Sequence, residues 1–325
     1  MQAAGITGAS VYGTGKKARR KIDDQGRSDM ENLKAEVRRK KKIGLQQTVK
    51  EEPEQTQTDI PDPVMVASPI FYLSVVMIGI AELTLMRSIE LGMLTHAMII
   101  IALAASIASL HKREAKEEHS KEQFKNTANL LSAVMILPLI RIFDFALPLV
   151  FFRQVYWSMV ISLPLLIAIA YLGRNLGMSL RDAGLIPGKF PLQLAIALTG
   201  IAFGFMEYSL IHPLPLISSL SLETILVPAI VFMAFTGFTE ELLFRGIIQT
   251  LAVRVYGPLS GILYSSALFT VMHVGFNSAP HMLFILAVSL FFGAVFYRTK
   301  SLTGVVLAHG ITNIVLFLIA PFVMI

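Results

Sequence analysis

The sequence predicts an all-α fold: a polytopic transmembrane helical bundle of about eight or nine spans, preceded by a basic and mostly disordered tail. Three observations lead there. From Val64 onward, apolar runs of about 16–23 residues recur, the length needed to cross a hydrocarbon core of ~30 Å. Only 15% of the residues are charged, against roughly 25% in soluble domains, and these charges crowd into the tail and the gaps between apolar runs. Mean hydropathy is +0.64.

Residues 1–62 are polar. The basic clusters KKARRK (16–21) and RRKKK (38–42) alternate with acidic and Gln/Thr-rich stretches. Ser28 followed three residues later by Glu31 reads as a helix start within 28–47. The tail is read as solvated positive charge that helps fix topology; no nucleic-acid partner is expected. The N-terminus lacks the apolar core of a signal peptide. Cysteine is absent, which excludes disulfides, thiolate metal sites and a cysteine nucleophile.

The expected spans, in order, are 66–86, 91–110, 130–150, 155–173, 191–211, 223–255, 258–275, 280–297 and 302–324. The sixth exceeds one straight crossing, so a tilt, a break or an extension beyond the bilayer is expected. Lys and Arg alternate between loops. Segment 111–128 carries Lys112, Arg113, Lys116, Lys121 and Lys125; later come Arg174, Arg181 and Lys189, then Arg254, then Arg298 and Lys300. The intervening loops are nearly free of them, which predicts a cell-membrane protein with a cytoplasmic N-terminus. Segment 178–191 is expected at the cytoplasmic interface, with Ser179 and Asp182 opening a short helix. The division expected is 1–62 tail, 63–190 N-terminal spans and 191–325 catalytic core.

The stretch FTEELLFRG places Glu240, Glu241 and Arg245 inside the sixth apolar run. An ionisable group at bilayer depth is costly unless it faces protein or water, and it marks function by default. Glu241 and Arg245 stand i and i+4 with the acid first, the favourable order for an ion pair. Glu240 lies about 100° round the helix, outside that pair. A carboxylate in a poorly solvated pocket is suited to act as a general base. Depth brings other groups to it. At 1.5 Å per residue, Glu240 is ~20 Å in from Arg254 and His273 is ~22 Å in from Pro258. His309 and Asn313, one turn apart on the last span, are roughly 12–20 Å in from Lys300. A water-containing cavity lined by Glu240, His273, His309 and Asn313 accounts for the coincidence. Such a set suits peptide hydrolysis: a carboxylate to activate water, a histidine to hold it, and donors for an oxyanion. It also suits a zinc ion held by Glu240, His273 and His309, although the H-E-x-x-H helix of soluble zinc proteases is absent.

The ordered motifs E-E-x-x-x-R (240–245), F-x-x-x-H (269–273) and H-x-x-x-N (309–313) resemble the CPBP family. Its members are the type II CAAX prenyl endopeptidases and bacteriocin-processing or immunity proteins, also called the Abi family of intramembrane proteases. The resemblance covers about residues 190–325. It implies Glu240 as the water-activating carboxylate aided by His273, His309 and Asn313 as oxyanion stabilisers, and Glu241 and Arg245 as support. It also implies a hydrolase acting on a membrane-associated protein or peptide, with a prenylated CAAX type among the substrate classes. Many members are labelled metalloproteases; the metal-free glutamate mechanism is favoured here, with zinc as the alternative. The competing reading is a non-catalytic membrane protein, either a proton-coupled transporter or an immunity or scaffold factor. Outside the motifs, Arg141 and Asp144 are expected to neutralise each other or to gate substrate. His96, His111, His119, His212 and His281 read as ordinary interface or loop residues.

Overall fold

A computed structural model describes residues 34–36, 38–40, 69–276 and 278–324. The tail and residues 63–325 are separate units. In the tail, 34–36 and 38–40 are helical, with an exposed Lys40–Glu36 ion pair at 3.1 Å; the expected helix start at Ser28 and Glu31 lies outside the described residues.

The membrane unit is helical, with no strand among the described residues. Its helices are α1 (Pro69–Leu85), α2 (Ile89–Glu114), α3 (Lys121–Ala146, breaking at Met135), α4 (Trp157–Asn175), α5 (Phe190–Ile211), α6 (Leu222–Tyr256), α7 (Pro258–Val271), α8 (Ala279–Thr299) and α9 (Thr303–Val323). Seven helices are long and apolar enough to cross a membrane, and α1 and α7 are shorter apolar helices. The protein is therefore an integral membrane protein. Large apolar side chains such as Leu91, Leu94, Met98 and Ile101 on α2 face outward, as expected where lipid replaces water.

Three segments differ from expectation. The polar link between α2 and α3 is not 111–128 but only 115–120. The first half of α3 carries Lys121, Glu122 and Lys125 on one side while burying Ala128, Leu130 and Leu131 on the other, so an apolar window misses it. Helix α7, with 14 residues, rises only about 21 Å, less than a bilayer core. His273 lies in the turn just beyond the helix. No helix forms at 179–189. Ser179 and Asp182 instead close a single turn, Ser179 donating from its amide and hydroxyl to Asp182 Oδ2 at 2.9 and 2.7 Å.

The basic ends of the helices are tied together. Leu302 N donates to Gly184 O at 2.9 Å, and Ser301 Oγ to Ile186 O at 2.6 Å. Gly184 has φ +74°, and a side chain there would collide with Phe296. Deep in the bundle, α5 and α9 approach closely through Gly200-x-x-x-Gly204. A Cβ on Gly204 would stand 2.5 Å from Val315 Cβ, and one on Gly200 would strike the Ala308 carbonyl. Small residues at this spacing let membrane helices touch backbone to backbone.

Helix α6 resolves its excess length by unwinding locally. With 35 residues it would reach on the order of 50 Å as a regular helix. Phe232–Gly237 and Leu242–Gln249 are π-helical, and the α-helical Phe238–Glu241 between them carries the two glutamates. Wide turns loosen the backbone ladder, and neighbouring hydroxyls supply bonds to their carbonyls: Ser162 Oγ to Phe235 O at 2.6 Å and Ser265 Oγ to Phe244 O at 2.8 Å.

Candidate active site

Glu241 and Arg245 pair as their spacing predicts, Arg245 Nη1 donating to Glu241 Oε1 at 2.8 Å with both side chains out of solvent. Arg245 also donates to Ser289 Oγ at 2.9 Å, and its guanidinium carbon lies 4.5 Å from the centre of the Phe269 ring. A desolvated cation is thus met by a carboxylate, a hydroxyl and an aromatic face.

His309 joins this pair. Its Nδ1 lies 2.8 Å from Glu241 Oε1; a carboxylate accepts, so Nδ1 carries the hydrogen. The opposite nitrogen, Nε2, faces Glu240 Oε2 at 3.9 Å. At that distance they are not directly hydrogen-bonded, but a charge on either acts strongly on the other. Glu240 is therefore coupled to the Glu241–Arg245 pair through His309, a link that the spacing alone leaves out.

Glu240 and His273 line one cavity of about 550 Å³. His273 Nδ1 is 2.8 Å from the Phe269 carbonyl, which only accepts, so the lone pair of the neutral ring sits on Nε2. Phe269 holds the elements together, its ring packing on His273 at 4.6 Å, Phe244 at 4.9 Å and His309 at 6.0 Å. The hydroxyls of Ser158, Thr236 and Thr239, also from cavity-lining residues, are buried without a hydrogen-bond partner. Buried polar atoms are rarely left so.

His309 and Asn313 stand behind this wall rather than in it. Asn313, one turn beyond His309 on α9, has a buried Nδ2 with no hydrogen-bond partner. Among the described residues, no three His, Asp or Glu side chains form a group able to hold a metal ion. Glu240, His273 and His309 do not form such a group.

A second charged group reaches the cavity from the N-terminal helices. Arg141 on α3 donates from Nε to Glu82 Oε1 at 2.7 Å and from Nη1 to Asp144 Oδ2 at 2.8 Å. Its Nη2 donates to the carbonyl of Met272, the residue before His273. Glu82, Arg141 and Asp144 all line the cavity. The i, i+3 spacing signals the Arg141–Asp144 pair, but nothing local signals Glu82, 59 positions away. His96 is fully buried, with Nε2 3.5 Å from Glu82 Oε1, and His281 is buried 2.9 Å from Glu207 Oε1. Neither is the ordinary interface or loop residue expected, and the mid-span Glu82 and Glu207 were the available signal.

Residues 221–315 match the family model described as type II CAAX prenyl endopeptidase Rce1-like. No curated protein and no solved structure matches the chain.

Proposed function

The chain contains an Rce1-like domain, and we propose that it is an intramembrane endopeptidase hydrolysing a peptide bond of a membrane-associated, CAAX-type substrate. The observation that carries this reading is the convergence of Glu240 and His273 on one cavity among apolar helices, with His309 3.9 Å from Glu240. Segment 191–325 supplies the catalytic core, and 63–190 contributes wall residues.

In this mechanism, water in the cavity hydrogen-bonds to His273 Nε2 and gives a proton to Glu240 as its oxygen attacks the scissile carbonyl. His309, protonated on both nitrogens, holds Glu240 ionised beforehand. With Asn313 Nδ2 it then supplies donors to the tetrahedral oxyanion, which requires the wall between them and the cavity to open as substrate binds; that amide has no hydrogen-bond partner to give up. The C–N bond breaks, and Glu240 returns its proton to the leaving amine. Glu241 and Arg245 orient His309. No step calls for a metal.

Glu240→Gln keeps the shape and removes the base. Cells carrying it should accumulate uncleaved precursors that wild-type cells process, and the purified variant should fail to cut a prenylated CAAX peptide while keeping its melting temperature. Activity of Glu240→Gln equal to wild type on a verified substrate refutes the assignment and favours the transporter or scaffold reading. Zinc that is lost with activity on chelation and restores it on return refutes the metal-free route. Because the chain has no native cysteine, a cysteine at position 218 reports orientation; it should label from outside only.

A further inference from the structure

A second cavity, of about 430 Å³, opens at the basic end of the bundle, between the 176–189 link, the end of α6 and the α8–α9 turn. Arg181, Arg254 and Lys300 surround it, against one acid, Asp182. That acid is already engaged by Ser179 and by Arg254 Nη2 at 3.7 Å. Lys300 adopts a left-handed backbone (φ +54°) that ends α8 and sets its Nζ 4.0 Å from the centre of the Tyr297 ring. Partial burial lowers its pKa, the direction expected when a cation loses part of its water. Phe296 and Val253 give the cavity an apolar wall. At its edge Gln249 is almost fully buried; Nε2 donates to Gly293 O at 2.8 Å, while Oε1 has no hydrogen-bond partner.

Topology alone asks for positive charge at this end of the bundle, not for a cavity. Lys112, Arg113 and Lys116 supply such charge on the exposed end of α2. The Arg181–Arg254–Lys300 group differs in being gathered around a recess with an apolar wall and an unmet acceptor. Such a recess concentrates anions, and its position at the helix ends is the level of lipid phosphates.

We propose that this cavity binds a phosphate-bearing anion, its charge met by Arg181, Arg254 and Lys300. An anionic glycerophospholipid offers that charge on a headgroup, and inorganic phosphate offers it as the free ion.

The test is thermal unfolding of the full-length protein in a neutral detergent, with added phosphatidylglycerol, phosphatidylcholine at the same mole fraction, or inorganic phosphate. Phosphatidylglycerol near saturation should raise Tm by on the order of 5 °C, and phosphatidylcholine should not. An equal rise with inorganic phosphate would assign the ligand as the free ion. Arg181→Gln and Lys300→Gln, neither of which breaks the Asp182–Arg254 pair, should each remove at least half of the rise, whereas Lys112→Gln with Arg113→Gln should keep it. The proposal is overturned by no rise with any phosphate-bearing additive, by an equal rise with phosphatidylcholine, or by a rise that survives in Arg181→Gln and Lys300→Gln. The readout does not depend on peptidase activity.

Discussion

Two arginines organise the polar interior, and they do so differently. Arg245 is closed in: its carboxylate partner is one turn away on its own helix, Ser289 caps it, and Phe269 covers its face. Arg141 is open: its partners come from α1, from its own helix and from the turn after α7, and the group borders the cavity. The local pair stabilises one helix and sets His309 behind Glu240. The distributed group joins helices outside the matched domain to the residue preceding His273. The same ionic chemistry thus builds an enclosed support in one place and part of a cavity wall in the other, and access to the cavity makes the difference.

Breaking the closed cluster should do the most damage. Arg245→Ala leaves Glu241 buried and unpaired, a cost of about 3–5 kcal/mol, so folded yield in detergent should collapse along with activity. A variant of normal yield and Tm would show that the closed cluster does not support the fold. Next is Asn313→Ala, which should spare stability and lower the cleavage rate by about 10²–10³, the usual effect of losing one oxyanion donor. Unchanged kcat there would remove Asn313 from the mechanism.

Arg141→Ala sharpens the contrast. It frees Glu82 and the Met272 carbonyl at the edge of a cavity that water can enter, so the expected stability loss is smaller, about 1–3 kcal/mol. Activity should fall further than stability, because the turn bearing His273 loses its tether. Arg141→Lys should restore part of the rate. Equal loss of yield in Arg141→Ala and Arg245→Ala would erase the distinction between the clusters.

The smallest effect expected is at Asp182, outside the membrane. Hydrogen bonds from the Ser179 hydroxyl and amide hold its carboxyl below the ordinary value of 3.8, with Arg254 adding to them. A depressed pKa contributes stability above the unfolded value and loses it as pH falls through the folded one. Amide protection at 179–185, taken relative to the intrinsic exchange rate at each pH, should therefore be steady from pH 7 to 5 and fall only below 3.8. Loss of protection already at pH 5 would contradict these bonds.

Legibility followed the same local-versus-distant divide. The helices were readable because bilayer thickness imposes a length on apolar runs, and the Glu241–Arg245 pair because helical periodicity fixes i and i+4. Depth counting put Glu240, His273, His309 and Asn313 on one cavity; Glu240 and His273 line it, while His309 lies beside Glu240 and Asn313 is not in the lining. It could not show which nitrogen of His309 meets which glutamate, nor that Asn313 sits outside the cavity wall, since both depend on helix rotation. The π-turns of α6 carry no residue signature that depth counting uses. Glu82 with Arg141 depends on how α1 packs against α3, which no local spacing encodes. Phe269 was visible as a motif letter, but its work as the ring shared by Arg245, His273 and His309 appears only once three helices are assembled.

Helix α9 is the most enclosed of the seven long spans. Its seat against Gly200 and Gly204 on α5 admits no side chain, so the two backbones must meet for α9 to settle at its depth. His309 and Asn313 ride on the same helix. Two glycines on one helix thus fix where the histidine of another stands against Glu240 and Glu241, and a misfit at that seat would move it without touching either glutamate.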